Sequence, residues 1–302
     1  MMQTLSYRIR QTAPYINWSY FFHAWSLPTH LASVAHIHDC IPCRQRWLAS
    51  FSDDEKARAT EACRLYEDAL SLLRQWDEAN LQTYFRVSLQ EAMSDGDDIL
   101  LPEVNLRLPL LRQQHTRPDE PCLSLADFVP PVSQGKSGRI GIFCSTVDAK
   151  MEAWDTNDDY RRMLAQTLAD RLAEATAEKG HEEVRRTIWG FAPDEHLTPQ
   201  ELFQEKYQGL RPAVGYPSLP DQSINFLIDS ILRFQELGIT LTSHGAMRPH
   251  ATTSGLIISH PAARHFAIGP ITTQQLNDYA RRRGVEPSWL EPFLANNLRQ
   301  NY

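Results

Sequence analysis

The residues best suited to hold a ligand stand in the run Arg211-Pro212-Ala213-Val214-Gly215-Tyr216. Arg211 carries a planar fork of donors that matches a carboxylate, Pro212 fixes its own φ, and Gly215 lets another molecule approach the backbone closely. With three prolines and Gly215 between Arg211 and Pro220, the stretch cannot be regular helix or a central strand. Its backbone groups must therefore find other partners, which makes it a candidate binding loop. A ligand with an α-carboxylate suits such a loop; a rigid connector whose arginine forms a salt bridge suits it equally. A second set lies at helical spacing. At 100° per residue Asp170, Glu174, His181 and Arg185 fall within roughly 60° of one another, with Met163 and Ile188 on the same arc and Ala177 just outside it. Such a stripe implies either a partly buried network with perturbed pKa values or an ion-pair network bracing the helix.

Metal-ligating types cluster at His36, His38, Cys40 and Cys43, an H-x-H-x-C-x-x-C run whose ligands suit zinc. Four ligands within eight residues leave little room for tetrahedral wrapping, and no second C-x-x-C exists. The run is read as a helix-edge cluster and no metal site is assigned. His244, His250, His260 and His265 are read as a coincidence of loops, and the turn at Asp95 to Asp98 lacks the remaining ligands of an EF-hand loop.

These groups must be positioned by a mixed set of elements. From Asp53 to about Asp77, Ala59, Ala62, Tyr66, Leu70, Leu73 and Trp76 recur close to helical spacing, and Ser52 or Asp53 can cap the start. Gly96 to Asp98 reads as a turn, Ile99 to Leu108 as extended, and Arg139 to Thr146 as a strand. A long helix is predicted from about Asp155 or Asn157 toward Trp189, with Gly180 as its weak point. Thr198, with Pro199 and Glu201 after it, opens a helix toward Tyr207. Beyond the proline-rich loop come a helix near Ser223 to Leu237, strands at Ile239 to Thr242 and Gly255 to Ser259, and a helix from Thr272 or Thr273. No period of 20 to 50 residues repeats.

The 302 residues are 42% hydrophobic and 22% charged, enough apolar material for a packed interior. A net charge of −7 argues against sequence-independent binding of phosphate backbones, so nucleic acid is not expected as a partner. The first twenty residues contain no signal-peptide run, and no apolar stretch approaches the roughly 20 residues that span a bilayer. A soluble, cytoplasmic protein is expected, with no membrane partner. Its five cysteines, odd in number and spread from Cys40 to Cys144, read as reduced thiols.

The Arg211 to Tyr216 run resembles the RPAPGYP signature of the S-adenosylmethionine activation domain of cobalamin-dependent methionine synthase. In the same order, Tyr15 to Leu27 (YINWSYFFHAWSL), Asp95 to Asp98 (DGDD), Cys122 to Pro130 (CLSLADFVP), 168–193 (LADRLAEATAEKGHEEVRRTIWGFAP), Glu205 to Gly209 (EKYQG), Ser254 to Pro261 (SGLIISHP) and Gln275 to Gly284 (QLNDYARRRG) resemble that family too. The resemblance runs from about Tyr15 to Leu298. It implies an α+β fold, an antiparallel sheet flanked by helices, as a single domain over 1–302 with an N-terminal helical part of about 1–90 packed on it.

The function so implied is reactivation of methionine synthase, in which S-adenosylmethionine remethylates cob(II)alamin after a flavodoxin-like donor has supplied an electron. Nothing resembles the corrinoid, homocysteine or folate modules, so the cobalamin is expected on a separate, corrinoid-bearing methionine synthase polypeptide. By the same resemblance Arg211 grips the methionine carboxylate, Ala213 and Gly215 offer backbone contacts, and Glu205 lies in the adjoining wall. Tyr216 faces the corrinoid and helps order water near the cobalt, with Glu174 a second polar group on that side. The protein then supplies positioning and charge, since the nucleophile and leaving group belong to the cofactors.

Departures from the family fall where the ligand should lie. Asn17 stands for an acid, His265 for a tyrosine, Thr242-Ser243-His244 for TES and Met247-Arg248-Pro249 for MWP. Losing an acid and gaining titratable groups weakens attraction for a sulfonium and an ammonium. The rival reading is a module that docks on a corrinoid protein but has lost S-adenosylmethionine; a methyltransferase with another acceptor is the third.

Overall fold

The computed structural model describes residues 2–38, 40–154 and 157–298. Strand β1 (Met2–Arg8) leads into helices α1 (Ile9–Thr12) and α2 (Trp18–Ala24), and a 3-10 stretch over Thr29–His36 connects to α3 (Ile41–Ala49) and α4 (Asp53–Glu78). Helix α4 forms because three acids, Asp53, Asp54 and Glu55, occupy its first turn, where the helix dipole favours negative charge, and because Ala59, Ala62, Ala69, Leu73 and Trp76 give it a buried face.

Strands β2 (Gln82–Asp95), β3 (Asp98–Leu101), β4 (Leu106–Pro109) and β5 (Gly138–Val147) precede the long helix α5 (Asp159–Glu183). Then follow α6 (Pro199–Phe203), α7 (Ile224–Leu232), β6 (Thr240–Leu241), β7 (Met247–Arg248), β8 (Thr252–Ile257), α8 (Thr273–Arg283) and α9 (Pro287–Leu290).

The main sheet is antiparallel throughout, in the order β4-β3-β2-β5-β8, with β1 and β3 dividing one edge of β2; β6 and β7 form a separate pair. Alternation along the strands sorts side chains onto two faces. Phe85, Val87, Leu89 and Phe143 pack on one side with Ala177 and Val184 of the α5 region, while Ile140, Ile142 and Cys144 pack on the other with Ile224, Ile228 and Leu232 of α7. Phe85 and Phe143 stack with centroids 5.7 Å apart, an arrangement worth about 0.5–1.5 kcal/mol beyond the area buried. The expected α+β architecture is what the chain adopts.

Helix α5 lies so close to β2 that a Cβ on Gly180 would stand 2.3 Å from the Phe85 ring. The glycine that looked like a weak point is what admits the sheet. Past Glu183 the helix continues in π form over Val184–Ile188, so the winding reaches the predicted end at Trp189. Its start is set by Asp158, whose side chain accepts from the Arg161 N–H; the alternative start at Asp155 lies outside the described residues.

Other expectations need correction. Ile99 to Leu108 is a hairpin, broken by a 3-10 turn over Pro102–Val104 and by Asn105 at φ 47°. Asp98 belongs to β3, and the carboxylates of the DGDD turn serve guanidiniums: Asp95 and Asp98 hold Arg107 at 2.9 and 2.6 Å, and Asp97 holds Arg112 at 2.6 Å. Helix α7 stops at Leu232 because Arg233 turns left-handed. Helix α6 stops at Phe203 and not at Tyr207, and β8 spans 252–257, earlier than predicted. The N-terminal part of about 1–90 is not wholly helical, since β1 and the first half of β2 are strands. Among the described residues no helix is long and apolar enough to cross a membrane.

Candidate functional site

The Arg211 to Tyr216 run is docked as an extra edge beside β8. Leu210 and Ile258 exchange N–H···O bonds at 2.8 and 2.9 Å, Leu256 donates to the Pro212 carbonyl at 3.0 Å, and Val214 donates to the Ser254 carbonyl at 2.9 Å. Gly255 makes this docking possible, since a Cβ there would meet the Pro212 carbonyl oxygen at 2.1 Å. The backbone groups that regular structure leaves unpaired thus find partners on β8, while Gly215 and Tyr216 at the end of the run stay exposed. Gly215, at φ +88°, shapes the turn toward Leu219 and lines a different cavity with Gln222, His244 and Phe293.

The loop closes one side of a cavity of 380 Å³, within the range of small-ligand sites. Asn17, Glu174, Glu205, Arg211, Ala213, Tyr216 and His265 all line it. Of the residues that the resemblance assigns to the ligand, Gly215 stands outside. Five stretches supply the lining: the entry and start of α2, one face of α5, the end of α6 with the segment after it, the β8-docked loop, and the segment after β8 that carries His265.

Within the cavity the charges are largely paired. Arg211 has a side chain 8% exposed, bonds Glu178, and lies with its guanidinium carbon 5.6 Å from the Phe143 ring centre. Burial is the largest single influence and opposes its charge, but Glu178, Tyr207 and Glu174 together outweigh it and hold the guanidinium protonated. Arg211 Nε and Glu178 Oε2 remain buried without a hydrogen-bond partner among the described residues. Glu205, itself left-handed at φ 54°, accepts from His265 at 3.2 Å, which lowers its pKa. The Tyr216 hydroxyl donates to Glu174 at 3.2 Å, and the negative charge of Glu174 pushes the phenol up to about 12. Tyr216 and Glu174 also line a neighbouring cavity with Asp170, Asn225 and His250. Asn17 caps α2, accepting from the Ser19 N–H at 3.1 Å.

Sequence reasoning missed Tyr15, Tyr20, Arg171, Glu178 and Tyr207, which also line it, with Ala175, Leu202 and Phe203 completing the wall. Their signal was partly present: Arg171, Glu174, Ala175 and Glu178 are spaced as one helix face. Three carboxylates, Glu174, Glu178 and Glu205, therefore face two guanidiniums, Arg171 and Arg211. Such a pocket favours a ligand carrying one net positive charge.

The predicted α5 stripe separates into three surroundings. Asp170 pairs with His250 at 3.2 Å, Glu174 reaches the pocket, and Arg185 is clamped by both oxygens of Glu195, with its guanidinium carbon 4.4 Å from the Tyr207 ring centre. His181 is fully buried with its ring edge-on to Tyr207 at 4.8 Å. The four loop histidines are likewise dispersed, with His244 in another cavity, His250 on Asp170, His260 beside Phe128 and His265 on Glu205. Outside the pocket His38, Cys40 and Cys43 do meet, and hydrogen bonding from Cys43, then from His38, lowers the Cys40 thiol to about 7. His36 lies outside that group.

Comparison with known proteins agrees with this arrangement. A family model described as the activation domain of vitamin B12 dependent methionine synthase matches residues 8–284. Among solved structures, the crystal structure of the MetH reactivation domain bound to AdoHcy is similar at a TM-score of 0.86 and 36% sequence identity, covering 100% of this chain and 91% of that one. With the α2 to β8 elements that build the pocket all inside the matched span, the chain belongs to the family of activation domains of vitamin B12-dependent methionine synthase.

Proposed function

We propose that the pocket between α2, α5 and the β8-docked loop binds S-adenosylmethionine and presents its methyl group to a corrinoid carried by a separate methionine synthase polypeptide. The observation that carries this reading is the convergence of Asn17, Glu174, Glu205, Arg211, Ala213, Tyr216 and His265 on one cavity. At neutral pH the ligand carries one net positive charge, and three carboxylates against two guanidiniums complement it. The corrinoid supplies the nucleophile for methyl transfer, and a flavodoxin-like protein supplies the reducing electron. The chain's own residues bind and orient. Arg211, steadied by Glu178, offers its free Nε edge to the methionine carboxylate; Glu205 attracts the amino group; Tyr216 and Glu174, shared by two cavities, face the corrinoid.

We read 1–302 as one unit, because α5 packs its first half on α2 and α4 and its second half on the sheet, and five cysteines outside any disulfide suit a cytoplasmic setting. A methionine synthase lacking its own activation module, inactivated to cob(II)alamin, tests the proposal. Adding this chain with S-adenosylmethionine, flavodoxin and its reductase should restore turnover. A folded chain that restores none contradicts it.

A second reading, docking on a corrinoid protein without S-adenosylmethionine, is favoured by one observation. Asn17 is engaged as a helix cap and Glu205 by His265, so both groups placed near the ligand's amino group already have partners.

A further inference from the structure

We propose that His38, Cys40 and Cys43 form a binding site for a thiophilic divalent cation of the zinc class. One ring nitrogen and two sulfurs, one from each residue, all lie within 4.8 Å of one another. Around an ion with Zn–S of about 2.3 Å and Zn–N of about 2.0–2.1 Å, tetrahedral ligand atoms are about 3.5–3.8 Å apart. The three therefore need to close by only about an ångström to share one ion.

The start of α3 accounts for the gathering. Cys40 is the N-cap of that helix, with extended backbone at φ −134° and ψ 152°, and Cys43 is its third helical residue. Side chains at these two positions face each other, which is the geometry that reciprocal capping uses. His38 arrives from the preceding turn, drawn in where the Cys40 N–H donates to the His38 carbonyl at 2.8 Å. Trp47, further along α3, is buried and donates to Ser33 Oγ at 3.1 Å, fixing the helix against the 3-10 stretch that leads to His38. The ligands are thus attached to two elements already held together.

Two thiolates and an imidazole select a borderline-soft ion over magnesium or calcium, which take oxygen ligands. The crowding that argues against four ligands in eight residues does not apply to three, since His36 stands apart and the fourth position falls to water. Cys40 and Cys43 are half-buried and His38 is exposed, so an ion enters directly from solvent. The site is independent of the ligand pocket, and its loading would pin the turn before α3 and stabilise the N-terminal helices by mass action.

Cobalt(II) added to the reduced, metal-free full chain should give thiolate-to-cobalt charge-transfer absorption and the strong visible bands of tetrahedral cobalt, saturating at one ion per chain and displaced by zinc. Cys40→Ser and Cys43→Ser should each remove the charge-transfer band or halve it, and His38→Ala should weaken cobalt binding at least about tenfold. Circular dichroism of the metal-free variants should stay that of the parent chain. Absence of a tetrahedral spectrum, or its persistence when both cysteines are serine, overturns the site. So does a reversible Cys40–Cys43 disulfide in a chain that takes up no cobalt when reduced, which makes the pair a redox couple instead.

Discussion

Arg211 is both the residue aimed at a ligand and a partner in a buried ion pair, and the second role has consequences for any experiment on the first. Removing it leaves Glu178 without its counter-charge in a place where that carboxylate is 17% exposed. Arg211→Ala is therefore expected to lower stability by about 3 kcal/mol, read as a lower guanidinium midpoint at unchanged slope. Glu178→Ala made alongside it should restore part of the loss, because the two residues share one interaction. A single variant as stable as the parent would contradict the pairing. The Arg211 to Tyr216 run stood out in the sequence through its arginine, prolines and glycine, but those residues alone left a ligand and a salt bridge equally open, and the roles given to Arg211, Gly215 and Tyr216 came from the resemblance. Glu178 did not stand out, since it lies 33 residues away from its partner and only the docking of the loop against α5 brings them together. The His265 to Glu205 pair escaped for the same reason.

Between the residues and the pocket stands the contact of β8 with the proline-rich loop. Gly255→Ala would drive a methyl into the Pro212 carbonyl oxygen and the Ala213 Cα, 2.1 and 2.8 Å from its Cβ, and neither backbone atom can yield without undocking the loop. The expected outcome is a loss of about 1–3 kcal/mol in stability together with weakened binding in the pocket, measured by denaturation and by ligand titration on the same preparation. Full affinity in that variant would mean that the loop does not shape the site.

At this scale the sequence was informative where one face is buried. The periodic spacing of α4 and the capping box at Thr198 were readable, as was the apolar run of β5. Strand β2, with Phe85, Val87 and Leu89 on one face and Arg86, Ser88 and Gln90 buried on the other, was missed because polar residues concealed a strand covered on both sides. Strand β1 was missed as an edge strand, exposed over most of its length.

In the molecule as a whole, α5 joins the helical and sheet regions, and the group most sensitive to losing that junction is His181. It has no exposed surface, and neither ring nitrogen has a hydrogen-bond partner among the described residues. Burial, then the charges of Arg185 and Arg211, hold its pKa well below the usual value. Unfolding returns it to about 6.5, so below that pH the unfolded chain binds a proton that the folded chain does not. Stability contributed by neutral His181 is therefore complete above about pH 6.5 and falls as the pH drops, by up to about 1.4 kcal/mol per unit. Denaturation at about pH 7.5 and pH 5.5 should show this dependence in the parent chain and a smaller one in His181→Leu; equal dependence would contradict it. The family was legible across the chain, because its motifs span most of the length. Ligand binding was less so, since Asn17 and His265 replace an acid and a tyrosine and their effect depends on which groups meet in the folded pocket.

The most direct measurement is calorimetric titration of S-adenosylmethionine into the folded chain. Saturable binding of one ligand per chain is predicted, weakened in Gly255→Ala. No heat and no thermal shift at millimolar ligand would contradict the proposed site and leave only the docking role.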